Sequence, residues 1–116
     1  MINGKEIIGL IEEIIIKGLI DEKKVKAKID TGADRTSVDE SIAAEVGLGP
    51  IHKTVKVRSS LDEKSQKRVV VDSEIVIKGK HFKVPVSISD RDHMNYDVII
   101  GKDVLVKCNF LIDPTK

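Results

Sequence analysis

Short runs of β-branched residues that alternate with charged or polar residues are the feature that most constrains the fold of this chain. Residues 25–29 alternate apolar and charged side chains, and residues 82–88 alternate strictly between apolar and polar or small ones. A period of two places one face of a strand on a core and the other in solvent. Val98-Ile99-Ile100 is continuously apolar, as expected for a strand covered on both faces. The sequence therefore predicts a chain built mainly from β-strands.

Glycine-containing and charged segments between these runs predict turns. Residues 18–24, with the polar tip Asp21-Glu22-Lys23-Lys24, separate the isoleucine-rich residues 6–17 from the next strand. Lys78-Gly79-Lys80 has the composition of a hairpin turn. Pro85 interrupts the alternating run at 82–88. Because proline has no amide hydrogen to donate to a neighbouring strand, it predicts an edge strand or a bulge there.

Helix is predicted at only two places. Residues 41–46 form a short helical pattern, with Asp39 as a candidate N-cap and Gly47 as the residue that ends it. Residues 102–107, which follow Gly101, are the second candidate. The chain lacks the alternation of strands and helices that parallel α/β folds require. We therefore predict an all-β fold class, a small sandwich or barrel with one or two short helices.

Size and charge are those of a small globular domain. The chain has 116 residues, 41% of them hydrophobic and 34% charged, so it can bury one modest core, and we predict a single domain over residues 1–116. A net charge of +1 gives no electrostatic reason to bind nucleic acid or an anionic membrane. Phe82, Tyr96 and Phe110 are the only aromatic residues, too few for a surface that stacks bases.

No segment of the sequence predicts a membrane span or a secretory signal. The longest apolar runs resemble Ile14-Ile15-Ile16, far below the ~20 residues that a membrane-spanning helix needs. Cys108 is the single cysteine, which excludes an intrachain disulfide and favours a small buried hydrophobic side chain. We expect a cytoplasmic protein with no membrane partner.

The tripeptide Asp30-Thr31-Gly32 carries most of the functional information. A strand delivers Asp30 to a tight turn, Thr31 places a hydroxyl beside the carboxylate, and Gly32 allows the backbone to bend and to be approached closely. Strand stability explains neither Asp nor Gly, since both disfavour strand interiors. The tripeptide alone is also compatible with a surface Asx turn closed by Asp30.

A second element lies about seventy residues downstream of the tripeptide. Ile99-Ile100-Gly101 is a short apolar strand that ends in glycine and precedes the second predicted helix. This ordered pair of elements resembles the retropepsin-like aspartic peptidases, in which the downstream strand passes beneath the Asp-Thr-Gly loop and its glycine permits the close approach. The resemblance spans nearly the whole chain and implies a small closed barrel of the retropepsin type.

Residues 90–102 narrow the resemblance. Asp90-Arg91, then Met94 and Tyr96, then a strand ending at Gly101 look like a branch of retropepsin-like proteins associated with RimK-type ATP-grasp glutamate ligases. The chain departs from that branch where Lys102 replaces arginine and where Asp97 replaces a frequent proline. The resemblance implies a functional link to an ATP-grasp ligase.

Members of that branch are often labelled ATP-dependent zinc proteases, but the residues give no physical basis for zinc. The sequence has no His-Glu-x-x-His motif, and its three histidines, His52, His81 and His93, lack the spacing of a zinc site. It also has no glycine-rich phosphate loop with a lysine. We therefore expect neither a metal nor another cofactor.

The presence of one Asp-Thr-Gly per chain determines the assembly that the resemblance implies. Aspartic peptidases need two carboxylates that share one proton: the ionised one takes a proton from water, and the protonated one polarises the scissile carbonyl. Because no second such tripeptide occurs, a competent site requires a homodimer with Asp30 from each chain. By the resemblance, Thr31 reaches across the twofold axis, Gly32 lines the site and Ala33 contacts substrate.

Other aspartates lack the context of that tripeptide. We expect them to serve as turns, helix caps or surface charges; they include Asp34, Asp90, Asp92, Asp103 and Asp113.

A basic segment between residues 51 and 70 bears on the substrate. It contains six lysines and arginines against two acidic residues, and the resemblance places the β-hairpin flap of retropepsins within residues 56–70. Charge alone is compatible with a solvated loop. If the hairpin covers the cleft, it favours an acidic or glutamate-rich peptide. Arg68 is the preferred contact and Arg58 the second.

Two alternatives to a peptidase remain open on the sequence. The chain could be a non-catalytic dimeric module that binds peptides on the same fold, or a barrel for protein interaction in which Asp-Thr-Gly is merely a turn. Loss of activity in Asp30→Asn with retention of the dimer would separate a peptidase from both.

Overall fold

The structure is a computed structural model that describes residues 1–59, 62–91 and 94–116, with the backbone alone described at residues 52, 55–59 and 62–67. Within these ranges the chain forms nine strands and two short helices. In chain order they are β1 (Ile7–Ile8), β2 (Ile11–Lys17), β3 (Glu22–Ile29), β4 (Ser37–Asp39), α1 (Glu40–Val46), β5 (Ile51–Ser59), β6 (Asp62–Ile77), β7 (Lys80–Ser89), β8 (Val98–Ile100), α2 (Lys102–Cys108) and β9 (Leu111–Ile112).

Six of the strands close into a barrel. They follow the order β2-β3-β8-β4-β7-β6, and β6 pairs back with β2 through Ile15 opposite Val76. The short β8 lies between β3, to which it is parallel, and β4, to which it is antiparallel. Outside the barrel, β1 and β9 form a parallel pair that joins the two ends of the chain. The predicted all-β barrel with two short helices is confirmed.

Apolar side chains at alternate positions along the strands fill the barrel. Val84 and Val86 of β7 are buried while Lys83 and Pro85, which alternate with them, are more exposed, as the period of two predicts. Val98 and Ile100 of β8 are fully buried. Cys108 is buried in the same apolar core, and burial raises the pKa of its thiol to about 11, so it is a packing residue.

Strands β5 and β6 form a long hairpin that extends away from the barrel. They pair from Ile51 opposite Val71 to Ser59 opposite Asp62, whereas β7 pairs with β6 only from Val70 onward. The outer part of the hairpin is therefore two-stranded. It contains the segment predicted as a flap, whose tip at residues 60–61 lies outside the described residues.

The turn between β6 and β7 is a tight hairpin at Lys78-Gly79. Both residues have positive φ angles, 52° and 75°, which is the conformation of the two-residue turn that matches strand twist. The predicted hairpin is confirmed. By contrast, the predicted turn at residues 18–24 is too long, because β3 already begins at Glu22 and pairs there with Lys17. Charged residues extend the strand where their side chains reach solvent.

Pro85 lies where one side of β7 is free of a strand partner. It stands opposite Asp72 of β6 in a continuous register, and β4 pairs with β7 only from Ser87 to Ser89. The missing amide hydrogen therefore costs no ladder bond. The predicted local edge is confirmed, and the predicted bulge is absent.

The first helix has the predicted ends. The Asp39 side chain accepts a hydrogen bond from the Ser41 amide at 3.0 Å, and Gly47 ends α1 with a φ of 69°. Neither helix in the described ranges is long or apolar enough to cross a membrane.

Candidate active site

Asp30 stands directly after β3, at the start of a tight loop. Its amide donates a hydrogen bond to the Ile100 carbonyl of β8 at 2.9 Å, which continues the β3–β8 ladder by one residue. Its carboxylate Oδ1 accepts the Gly32 amide at 2.9 Å, and its carbonyl accepts the Ala33 amide at 3.2 Å. The Asx turn considered from the sequence is therefore present, and it fixes the direction of a half-buried carboxylate.

The rest of the tripeptide faces solvent in the single chain. Thr31 and Gly32 are exposed and Ala33 is half-buried. The Thr31 hydroxyl makes no hydrogen bond with any side chain or backbone group in the described ranges. Gly32 does not have a positive φ, and a Cβ there would meet only Asp30 Oδ1, at 3.2 Å. The close approach predicted at Gly32 is therefore not required by contacts within this chain.

The close approach occurs at Gly101. A Cβ there would lie 2.8 Å from the Ala33 carbonyl oxygen and 2.8–2.9 Å from the Arg35 carbonyl group. Such distances are too short for any side chain, so glycine is needed where β8 passes beneath the loop. The Lys102 amide then donates to the Ala33 carbonyl at 2.8 Å. The predicted arrangement of loop, strand and following helix is confirmed.

Thr36 and Asp103 join the end of the loop to α2. Thr36 is fully buried, and its hydroxyl donates to Asp103 Oδ1 at 2.7 Å while accepting the Gly101 amide at 3.0 Å. The Thr36 amide donates to both carboxylate oxygens of Asp103, at 3.0 and 2.9 Å. The sequence predicted only a turn, cap or surface charge for Asp103. Its bond to Thr36 was missed because the two residues are 67 positions apart.

Asp34 forms the second link between the loop and α2. Its carboxylate lies 2.9 Å from Lys102 Nζ, and this hydrogen bond, followed by the charge of Lys102, lowers the pKa of Asp34. The side chain is 92% exposed, so solvent weakens the pair. The prediction of a surface charge is confirmed for Asp34.

Asp39 and Arg91 connect the end of β4 to residues that precede β8. Asp39 Oδ1 accepts the Arg91 amide at 2.6 Å, and Arg91 Nε donates to the Tyr96 carbonyl at 2.8 Å. Hydrogen bonds from the Ser41 hydroxyl first, and then from the Arg91 and Ser41 amides, hold the pKa of the buried Asp39 below its ordinary value against the cost of burial. The sequence identified the cap at Asp39 and missed its bond to Arg91.

The predicted substrate arginines lie on the hairpin. Arg68 is half-buried on β6, and its positive charge is close enough to lower the pKa of Arg91, after the larger effect of burial. Asp30 acts on the same guanidinium in the opposite direction. The structure thus brings Arg68 and Asp30 within electrostatic range of one residue. The side chain of Arg58 lies outside the described part of the chain.

A family model for aspartyl proteases matches residues 16–104 of the sequence. This range contains the Asp30 loop, Thr36, the hairpin and most of the β8–α2 junction. The chain belongs to the aspartyl protease family.

Solved structures of retropepsin-like proteases share the fold of this aspartyl protease family member. The EIAV protease in complex with the inhibitor HBY-793 is 16% identical, with a TM-score of 0.68, and the match covers 95% of this chain and 94% of that one. A retropepsin-like aspartic protease from Rickettsia conorii is 21% identical, with a TM-score of 0.52, over 84% and 80% of the two chains. The predicted retropepsin type of barrel is confirmed.

A Legionella pneumophila protein of unknown function has the same fold. It is 22% identical, with a TM-score of 0.67, and the match covers 96% of this chain and 95% of that one. No curated protein sequence matches the chain significantly. At these identities the structural likeness establishes the fold alone, and the branch associated with ATP-grasp ligases stays a prediction.

Possible metal ligands are scattered within the part of this aspartyl protease family member that the structure describes. Among the described residues, no three His, Cys, Asp or Glu side chains are grouped so that they could hold a metal ion. His81 lies 3.1 Å from Glu74, which also pairs with Lys17 at 3.7 Å. The side chains of His52 and His93 lie outside the described residues.

Proposed function

We propose that the chain is one subunit of a homodimeric aspartic endopeptidase whose two Asp30 carboxylates activate water for peptide-bond hydrolysis. Membership of the aspartyl protease family supports the chemistry. The observation that carries the assignment to Asp30 is its anchoring: the loop is tied to β8 by the Asp30 amide and lies against Gly101. A carboxylate held this firmly at a barrel end has the preorganisation that catalysis needs.

The second carboxylate is proposed to come from another copy of the chain. Near the loop, Asp34 forms an ion pair with Lys102, and Asp103 accepts a hydrogen bond from the Thr36 hydroxyl. Neither is free to share a proton with Asp30. A twofold dimer supplies a second Asp30 in the same environment, and the exposed Thr31 is proposed to bond across the axis beside Gly32.

The proposed reaction uses the two carboxylates in different protonation states. Like charges a few ångströms apart cannot both be ionised, so the pair holds one proton. The ionised Asp30 takes a proton from the bound water, which attacks the carbonyl carbon, and the protonated Asp30 donates a hydrogen bond to the carbonyl oxygen. Proton return to the amide nitrogen then releases two peptides.

The β5–β6 hairpin is proposed to close over the substrate. The charges of Arg68 and Asp30 both act on Arg91, and Arg58 belongs to the same hairpin as Arg68. We propose that Ala33, Arg58 and Arg68 contact the peptide and favour acidic sequences. A functional link to an ATP-grasp ligase that adds glutamate fits this preference and is part of the proposal.

Asp30→Asn tests the catalytic role with little structural change. Asparagine keeps the oxygen that accepts the Gly32 amide, so the turn persists, but it cannot ionise. We expect peptide hydrolysis to fall by at least about a hundredfold, while sedimentation shows an unchanged dimer. The matched control is Asp34→Asn, which removes an exposed carboxylate of the same loop and should retain activity within about fivefold.

Two results would reject the proposal. Full hydrolysis by Asp30→Asn would remove Asp30 from the chemistry. A wild-type dimer that binds peptides without cleaving any would favour the non-catalytic module, in which Asp30 serves only as the acceptor of its Asx turn.

A further inference from the structure

A groove with a volume of about 420 Å³ lies along the outer face of the barrel near β3. Leu10, Ile11 and Ile99 supply an apolar wall, and Lys28 and Arg91 add two cationic side chains to the lining. Leu10 and Ile11 are 46% and 44% exposed, so this apolar surface is open to a ligand. The groove therefore combines apolar contact with positive charge.

The groove begins next to the proposed catalytic residue. Lys28 precedes Asp30 by two residues, so the two side chains project from the same face, about 7 Å apart along the chain. Lys28 pairs with Ile99 of β8, and the next residue of β8, Ile100, accepts the Asp30 amide. A peptide side chain adjoining a bond held at Asp30 can therefore reach the groove.

The positive charge of the groove is available to a ligand. Among the described residues, no carboxylate lies within ion-pair distance of Lys28 or of the Arg91 guanidinium. Arg91 donates a hydrogen bond through Nε to the Tyr96 carbonyl at 2.8 Å. This bond does not use the two terminal nitrogens of the guanidinium, which can face a ligand. Asp39, Asp97 and Asp30 act on Arg91 from a greater distance, and Arg68 opposes them.

Apolar walls beside two cations that pair with no described carboxylate match one kind of side chain. The methylene groups of a glutamate can pack against Ile11 and Ile99 while its carboxylate meets Lys28 and Arg91. A neutral aliphatic side chain would pack against the apolar walls, but it would remove water from the two cations without offering them a hydrogen-bond acceptor. An aspartate carboxylate could pair with the cations, but its shorter side chain would make less contact with the apolar walls.

We propose that this groove is the charge-selecting subsite of the enzyme and binds a glutamate side chain of the substrate next to the cleaved bond. The inference rests on the proposed peptidase function and assigns the acidic preference to the rigid barrel, in addition to the hairpin arginines. Lys28 is the residue to test because its side chain is exposed and forms no ion pair with another described residue.

Binding is measured separately from cleavage so that the two proposals can fail independently. All variants are made in the Asp30→Asn background, and short labelled peptides rich in glutamate or in glutamine are titrated by fluorescence anisotropy. The Asp30→Asn parent should bind the glutamate peptide about tenfold more tightly than the glutamine peptide, and this ratio of affinities is the quantity compared between variants. Adding Lys28→Gln should reduce that ratio to about threefold or less, and Lys28→Arg should retain it.

Lys24→Gln is the matched control. Lys24 is exposed on the same face of β3, four residues from Lys28, and does not line the groove, so its loss should leave the ratio unchanged. A parent with no glutamate preference, or an equal loss in Lys24→Gln and Lys28→Gln, would overturn the subsite.

Cleavage by the protein with Asp30 intact is then mapped on a peptide library by mass spectrometry. Glutamate enriched beside the cleaved bonds, and depleted again in Lys28→Gln, supports both proposals. Cleavage without that enrichment overturns the subsite and leaves the peptidase function in place. A glutamate preference in binding together with no cleavage of any peptide would reject the peptidase function and retain the subsite.

Discussion

At the scale of single residues, Asp39 shows how one buried carboxylate serves two segments. It caps α1 through the Ser41 amide and also accepts the Arg91 amide from the segment that precedes β8. The side chain is 1% exposed, and its pKa is lowered mainly by the Ser41 hydroxyl. Its ionised form therefore stabilises the helix start and the Arg91 segment together.

This lowered pKa predicts a pH dependence of stability. A carboxylate whose pKa is lower in the folded state stabilises the fold above its unfolded pKa, near 3.8, and the contribution is lost as pH falls through the folded value. We expect Asp39→Asn to lower the free energy of unfolding by about 1–2 kcal/mol at pH 7. The difference from wild type should shrink as the pH falls below 3.8.

Urea unfolding between pH 7 and pH 2.5 measures this difference. Asp21→Asn is the control, because it removes an exposed carboxylate at the β2–β3 turn and should leave the acid dependence nearly unchanged. An Asp39→Asn variant with the same loss at every pH would contradict the assigned role.

At the scale of elements, the junction of β8 and α2 supports the loop that carries Asp30. Gly101 has an extended backbone with a φ of −98°, so conformation alone does not require glycine there. The requirement comes from the Ala33 and Arg35 carbonyls that lie against it. Gly79 is the opposite case, since its φ is 75° and nothing lies within 4 Å of its added Cβ.

The two glycines make a matched pair of variants. Gly101→Ala should cost about 1–3 kcal/mol through overpacking and should also displace the Asp30 loop, so hydrolysis falls by more than the loss of folded protein explains. Gly79→Ala should cost about 1 kcal/mol through backbone strain and leave turnover per folded chain unchanged. Thermal unfolding and activity of both variants measure the difference. If Gly101→Ala and Gly79→Ala had the same turnover per folded chain, the result would contradict the role of Gly101.

At the scale of the whole molecule, a site shared between two chains has a distinct signature in mixtures. When wild-type and Asp30→Asn chains are mixed equally and allowed to exchange, about one quarter of the dimers contain two intact carboxylates. Activity should therefore fall to about one quarter at constant total protein. If both carboxylates came from one chain, it would fall to about one half.

Dilution provides the companion measurement. Turnover per chain should decline as the protein is diluted and dimers dissociate, with sedimentation reporting the same transition. For the mixing experiment the control is Asp34→Asn: an equal mixture with wild type should be no less active than the average of the two separate proteins. A monomer with full turnover would contradict the shared site.

The sequence by itself determined the local structure of this protein and the location of its candidate chemistry. Alternation identified the strands because a pleat has a period of two. Asp39 and Gly47 marked the ends of α1, and Gly79 marked a hairpin, because each has a backbone preference expressed within a few residues. Asp30-Thr31-Gly32 was visible for the same reason, since a strand followed by that turn is a local pattern.

Only the tertiary structure decided what holds the site. The Thr36–Asp103 bond and the contact of Gly101 with the Ala33 carbonyl join residues more than sixty positions apart, and no local periodicity encodes such a partner. The resemblance, and no local pattern, pointed to the close approach at Gly101, whereas the close approach predicted at Gly32 is not required by contacts within this chain. Lys28 and Arg91 likewise become neighbours only when β3 and the segment before β8 meet on the closed barrel, because closure places distant segments side by side.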